Sequence, residues 1–292
     1  MQVTIDILVL GAGWTSTFLI PLCQKRNLTY GATTRSGSNS TIPFTFDPDS
    51  DDTGPCEALP DAKTVLITFP ITAKGASERL VKLYNKTRRN KEVTAGFIQL
   101  GATFLWSPSV RSQESDSGTK ISQVQWFDRH SPINPEDLRG QAEDELLALS
   151  PKIPTTALDL AGLWGGARSI RNYVGRVAPS KEVLKNKGSI HMIHGEDVAR
   201  AILAIHGAWD KASGERWLLT DMRVYDWWEL ASGWGSNPGN EEDPGPQPGW
   251  VRELMREEGV RALPRSPEQL GRALDAREFW EVFELSPVKR LD

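Results

Sequence analysis

Cysteine is nearly missing from this chain of 292 residues: there are two, Cys23 and Cys56. They form neither a disulfide framework nor a metal-ligand spacing, which points to a reducing compartment and a cytoplasmic location. Histidine is almost as sparse, with four residues at 130, 191, 194 and 206. His191 and His194 fall three apart on an expected strand, where they point to opposite faces, so no metal site is expected. No apolar run approaches the roughly 18 residues of a membrane span. The apolar start does not read as a signal peptide, because it lacks a basic region, carries Asp6 and breaks at Gly11 and Gly13. A surplus of positive charge is missing too. The formal net charge of -4 argues against a nucleic-acid partner, which would call for a basic face, while leaving room for a local phosphate pocket.

What is present is ordinary for a globular protein, with 39% hydrophobic and 25% charged residues. The length suits one α/β domain, or a domain with a smaller appendage. Tryptophan is the exception at 11 residues, enough for intrinsic fluorescence to report ligand binding.

Strand and helix signals alternate from the first residues. "TIDILVL" reads as a buried strand, and residues 14–25 as a helix with Phe18, Leu19 and Leu22 on one face. "LTYGATTR", "TIPFTFD", "AKTVLITFP" and "TAGFIQLG" follow as strands, with a helix from Ala73 to Asn85 before the last. "PEDLRGQAEDELLALS" reads as a helix with Pro135 in its first turn and Leu138, Ala142, Leu146 and Leu149 along one side. "TTALDLAGLW" is a sixth strand. This alternation predicts a Rossmann-type, doubly wound parallel sheet. Residues 1–163 form the expected dinucleotide-binding core. Residues 164–292 form mostly a substrate-binding part, with the chain returning to the core near 190–222. The breaker-rich segment 236–250 reads as a mobile loop or lid.

The stretch "VLGAGWTS" places a glycine turn between the first strand and the first helix. In such a turn Gly11 permits the bend and Gly13 lets the backbone approach a pyrophosphate. The helix N-terminus, at Trp14 and Thr15, supplies oriented N–H groups. The third glycine of the pattern is replaced by Ser16, small enough for close helix–strand packing. The end of the second strand chooses the cofactor: an acid there binds the ribose of NAD, an arginine the 2′-phosphate of NADP. Arg35 stands there with no acid beside it in sequence, so NADP is expected over NAD.

Several segments carry a family resemblance. "VLGAGWTS", "LITFP", "LWGGAR" at 163–168, "SIHMIHGEDVARAILAIH" and "ERWLLTD" with "YDWWELA" resemble the extended and atypical short-chain dehydrogenase/reductases, the epimerase/dehydratase-like superfamily. The resemblance runs from Ile7 to about Asp221. It implies that Phe69, Pro70 and Asp47 border the cofactor, that Arg168 clamps the substrate, and that two copies pair as a homodimer. The chain departs from the pattern where the superfamily carries Tyr-x-x-x-Lys. The matching positions fall near Asp137 and Gln141, and Thr103 is the only hydroxyl near the usual serine.

The remaining catalytic candidates are therefore Thr103, to bond a substrate carbonyl or simply to end its strand, and His130, as an acid near neutral pH. Trp106, Trp126 and Trp164 are candidates for an aromatic substrate cleft, and Arg168 for an anion clamp or a structural ion pair. The leading expectation is an NADP-dependent oxidoreductase on a small carbonyl or hydroxyl compound. The rivals are a non-redox lyase, isomerase or cyclase, and an inactive NADP-sensing protein.

Overall fold

The computed structural model describes residues 4–90, 92–107, 125–237, 240 and 242–291. Its central sheet has seven strands: β1 (Ile5–Leu10), β2 (Tyr30–Thr34), β3 (Ile42–Pro43), β4 (Ala62–Ile67), β5 (Gly96–Ala102), β6 (Thr155–Leu160) and β7 (Arg216–Leu219). They lie in the order 7-6-5-4-1-2-3, and every neighbouring pair is parallel. Strands covered on both faces must be apolar throughout. Ile7, Leu8, Val65, Leu66, Ile67, Phe97, Ile98 and Leu158 accordingly have no exposed surface. The outermost pairing, β3, is only two residues long. Pro43 has no N–H to continue it, as suits an edge.

Seven helices carry the rest of the argument: α1 (Ser16–Lys25), α2 (Ala76–Lys86), α3 (Leu138–Leu147), α4 (Gly195–Gly207), α5 (Trp227–Trp234), α6 (Gln247–Glu257) and α7 (Arg277–Val282). Apolar clusters lie on both faces of the sheet. One packs α1, α4 and α7 against it, the other α2 and α3. Helix α1 meets α4 closely, because a side chain at Gly195 would overlap the Phe18 ring at 2.3 Å. The small residue that closes this packing is therefore Gly195, while Ser16 is buried and donates from Oγ to the Gly13 carbonyl at 2.6 Å.

Two expected elements differ. Helix α3 starts at Leu138 because the Asp137 carboxylate caps it, accepting from the N–H groups of Arg139 and Gly140 at 3.0 and 2.9 Å. Pro135 thus precedes the helix, and Leu138 points to solvent. The sixth strand breaks at Ala161. Residues Gly162–Trp164 leave the main sheet and pair with Met192–His194, where Gly162 is needed because a Cβ would meet Met192 Sδ at 2.6 Å.

The smaller C-terminal part is built from short pairings, Gln125–Phe127 with Arg272–Leu274 and Ser189–Ile190 with Tyr225–Asp226. Its own core joins Val174, Leu184, Trp228, Val251 and Leu254. Residues 238, 239 and 241 of the expected lid lie outside the described residues. The remainder folds back on α5: the Ser236 and Asn237 N–H groups donate to the Pro244 carbonyl, and Gln247 begins α6. The described residues of this 236–250 segment border neither of the cavities described below. No described helix is long and apolar enough to cross a membrane.

Candidate functional site

The carboxyl ends of β1, β2 and β4 open into a cavity of about 640 Å³. Its floor is the glycine turn. Gly11 has φ +94, a left-handed conformation that favours glycine. A side chain there would also meet Thr68 Oγ1 at 2.6 Å. The turn is held from both sides, since the Gly11 N–H donates to Thr33 Oγ1 at 3.0 Å and Thr68 Oγ1 donates to the Gly11 carbonyl at 2.6 Å. Gly13 faces open space, with nothing within 4 Å of a Cβ built on it.

The first amides of α1 divide into two sets. Those of Ser16, Thr17 and Phe18 are taken by the carbonyls of Gly13, Trp14 and Thr15. Those of Trp14 and Thr15 have no acceptor among the described residues. They are the two free donors of a helix N-terminus, the arrangement that favours an anion.

The walls of the cavity are apolar and aromatic: Phe44, Phe46, Phe69, Pro70 and Ile71. Phe46 and Phe69 stack with centroids 6.3 Å apart. The chain at Phe69 is fixed from below by Gln99, whose Nε2 donates to the Phe69 carbonyl at 3.0 Å. At the rim Arg35 is exposed and makes no hydrogen bond or ion pair with the described chain. An apolar slot with a cationic rim, leading across Gly13 to the free helix amides, is chemically suited to a nucleotide with phosphates at both ends.

A second cavity, of about 310 Å³, adjoins the first through Gly13 and Thr68 and reaches the carboxyl ends of β5 and β6. Leu100, Gly101, Ala102, Leu160, Ala161 and Leu163 line it, with Trp14, Thr15, Arg139 and Arg168. Behind Gly101 lies a buried charge cluster. Arg216 reaches from β7 to Glu143 on α3 and to Asp159 on β6, the latter at 3.1 Å, with Asp144 at 2.9 Å. Burial, then the Asp159 charge, pushes the Glu143 carboxyl well above the usual carboxylate range, against the pull of Arg216. Burial likewise raises Asp159, again against Arg216. Glu143 Oε1 and Asp159 Oδ1 have no other partner, so one proton held between them is the arrangement that satisfies both. Gly101 is obligatory beside them, because a Cβ there would lie 1.8 Å from Asp159 Oδ1.

The other sequence candidates disperse. Asp47 does not line the nucleotide cavity, because its carboxylate accepts from the Asp49 N–H at 3.0 Å. The Trp14 side chain turns away from the cavity floor: Nε1 donates to the Gly165 carbonyl at 2.9 Å, and Arg168 lies 4.8 Å over the ring. Thr103 is buried at the start of a short 3-10 turn and borders neither cavity, its carbonyl held by Arg272. His130 sits beyond the β7 edge, bonded through Nε2 to Glu278 at 2.8 Å and largely exposed. It does not reach the cleft, because neighbouring Arg129 pins the loop to Glu215 and Glu278. Trp106 is fully buried, with Nε1 donating to the Ser131 carbonyl. Trp164 packs edge-on against His194, and Trp126 is exposed beside a separate cavity near Met222. The residues missed by sequence reasoning are Arg139, Thr68, Phe46 and the Glu143–Asp159–Arg216 cluster. Among the described residues no group of three or more His, Cys, Asp or Glu side chains is placed to hold a metal.

No family model matches the sequence, and no curated protein matches it. Solved structures do. A UDP-N-acetylglucosamine 4-epimerase from Bacillus cereus superposes with a TM-score of 0.61 at 9% identity, covering 98% of this chain and 95% of its own. MoeE5, in complex with UDP-glucose and NAD, gives 0.59 at 14% identity over 98% and 94%. RMD from Pseudomonas aeruginosa, complexed with NADPH, gives 0.56 at 10% identity over 98% and 95%. The chain has the epimerase/dehydratase-type Rossmann fold. The similarity extends along nearly the whole length of each protein, so the smaller C-terminal part belongs to the shared architecture as well.

Proposed function

We propose that the chain is an NADP-binding protein of the atypical short-chain dehydrogenase/reductase group, an oxidoreductase acting in the cytoplasm on a small carbonyl or hydroxyl compound. Residues 1–163 hold the cofactor and line most of the inner cavity, to which the 164–292 part adds Arg168. The observation that carries the reading is Arg35. It is an unpaired guanidinium at the end of β2, on the rim of the same cavity as the Gly11–Gly13 turn. The 2′-phosphate of NADP is the group such an arginine accommodates.

The residues present fit the cofactor. Free amides of Trp14 and Thr15 suit the pyrophosphate, and the Phe46–Phe69 slot suits the adenine. The fold neighbours MoeE5 and RMD were solved with NAD and NADPH, which supports a nicotinamide cofactor. When bound, that cofactor supplies hydride transfer, and the chain supplies orientation and charge.

A second reading, a cofactor-binding protein without turnover, has one observation in its favour. No Tyr, Lys, His, Asp or Glu is among the described residues that line the inner cavity, so none of those residues is a usual proton-transfer group.

The deciding experiment is a paired titration of cofactor-stripped protein with NADPH and NADH, followed by tryptophan quenching. The expected result is tighter NADPH binding, with the preference abolished in Arg35→Ala. A charge-assisted phosphate contact of about 1.5–3 kcal/mol corresponds to roughly 10–100-fold in affinity. Equal binding of both cofactors would overturn the NADP assignment, and binding of neither would overturn the reading altogether. Turnover of any carbonyl compound in a subsequent screen would eliminate the non-catalytic alternative.

A further inference from the structure

The inner cavity carries two cations that the cofactor contacts above leave unused. Arg139 projects from the first turn of α3 on one side, and Arg168 from the loop after Gly165 on the other. Neither guanidinium makes a hydrogen bond or an ion pair with the described chain; Arg168 is exposed and lies over the Trp14 ring. No acid is among the described residues that line this cavity. The nearest, Glu143, lies one turn along α3 from Arg139, but its Oε2 is occupied by Arg216 and its Oε1 is turned to Asp159 behind Gly101. Unpaired arginines on a convex surface are solvated and unremarked. Two that share a concave space of about 310 Å³ with the free amides of a helix N-terminus make a field of one sign.

From this convergence we propose that Arg139 and Arg168 form a carboxylate-binding pair, and that the inner cavity takes a small organic acid. The planar guanidinium fork matches a carboxylate in two parallel hydrogen bonds, which a point-charge lysine does not reproduce. The rest of the described wall sets Leu100, Leu160, Ala161 and Leu163 beside the hydroxyl-bearing Thr15 and Thr68, so the acid carries a short body with room for one further polar group. The proposal rests on the oxidoreductase reading and narrows its substrate to a 2-oxo or 2-hydroxy acid, whose reacting carbon lies next to the carboxylate. Phosphate is the competing anion, and the phosphates of the cofactor are its nearest source.

The test is equilibrium titration of the protein, with and without saturating NADPH, using 2-oxobutanoate, its methyl ester and inorganic phosphate as probes. The expected result is that the acid binds at least roughly tenfold tighter than the ester, and that phosphate competes weakly. Arg139→Gln and Arg168→Gln each abolish the preference for the acid while leaving NADPH affinity unchanged. Arg139→Lys restores part of the affinity through charge alone. Equal binding of acid and ester overturns the proposal, as does a preference that survives both Gln variants. A loss of NADPH affinity in those variants overturns it in a different way, by assigning the arginines to cofactor phosphates. If NADPH itself fails to bind while the acid still binds through the two arginines, the carboxylate pair stands and the oxidoreductase reading falls.

Discussion

Removing one side chain, in Arg216→Met, tests the charge cluster that braces the site. Arg216 is the only cation hydrogen-bonded to Glu143 and Asp159 in the described chain, and those two side chains are at most 1% exposed. Truncating one partner of a buried ion pair strands the other, at a cost of about 3–5 kcal/mol. At roughly 2–3 °C per kcal/mol for a domain somewhat larger than 200 residues, the melting temperature at pH 8 falls by roughly 6–15 °C. The pH dependence gives the sharper signature. Glu143 and Asp159 are already held above the ordinary carboxylate range by burial, and Arg216 opposes that rise. Without Arg216 both carboxyls retain protons to still higher pH in the folded state, while the unfolded chain releases them near pH 4. The unfolded state then binds fewer protons than the native state, so stability falls as pH rises. The variant therefore lies closest to wild type near pH 5 and furthest from it near pH 8. Thermal unfolding of both proteins, followed by tryptophan fluorescence at the two pH values, measures this. A deficit below about 1 kcal/mol at pH 8, or one larger at pH 5, would refute the reasoning.

Three further outcomes follow from single positions. Gly11→Ala places a Cβ 2.6 Å from Thr68 Oγ1 at φ +94, so it costs about 1–3 kcal/mol in denaturant unfolding and weakens NADPH; unchanged affinity would dissociate the turn from the cofactor. His130→Gln changes stability by no more than about 1 kcal/mol, because its bond to Glu278 is solvent-exposed. It also leaves turnover intact, and a tenfold loss of turnover would restore His130 as the acid. His191 is pushed down to about 3 by burial and then by Arg272, and its neutral Nε2 accepts from the Leu274 N–H at 3.0 Å. Its unfolded form takes a proton first, so its stabilisation is present above about pH 6.5 and is lost as pH falls toward 3. His191→Phe accordingly shows a flatter decline in urea stability between pH 7 and 4.5, and an unchanged slope would refute the assignment.

The part of this molecule legible in its sequence is the part written locally. The apolar run 5–10, the glycines of the turn and the arginine closing β2 lie within one short stretch of chain, and each has a conformational reason for its place. Residue types alone could not say which side chains that stretch would turn toward a ligand. Trp14 follows the glycine turn with its amide free among the described residues, yet its indole is bonded to Gly165, 151 residues away. The pattern's third glycine is replaced by Ser16, and the close approach it normally serves is met by Gly195 against Phe18, a substitution visible only once α1 and α4 are packed. The acid cluster draws Glu143 from α3, Asp159 from β6 and Arg216 from β7, and in sequence each looks like one more charged residue. Arg139 was hidden for a related reason. A search of α3 for tyrosine and lysine passes over an arginine two residues after Asp137, although the helix cap at Asp137 is what sets its first turn beside the inner cavity. Chemistry contributed by a local turn can be read from spacing, whereas chemistry assembled by strand order requires the ladder to be known first. The glycine turn and Arg35 are of the first kind and the inner cavity of the second, which is why Gly11, Gly13, Arg35, Phe69 and Pro70 border one cavity while Asp47 does not and the catalytic candidates Thr103 and His130 border neither.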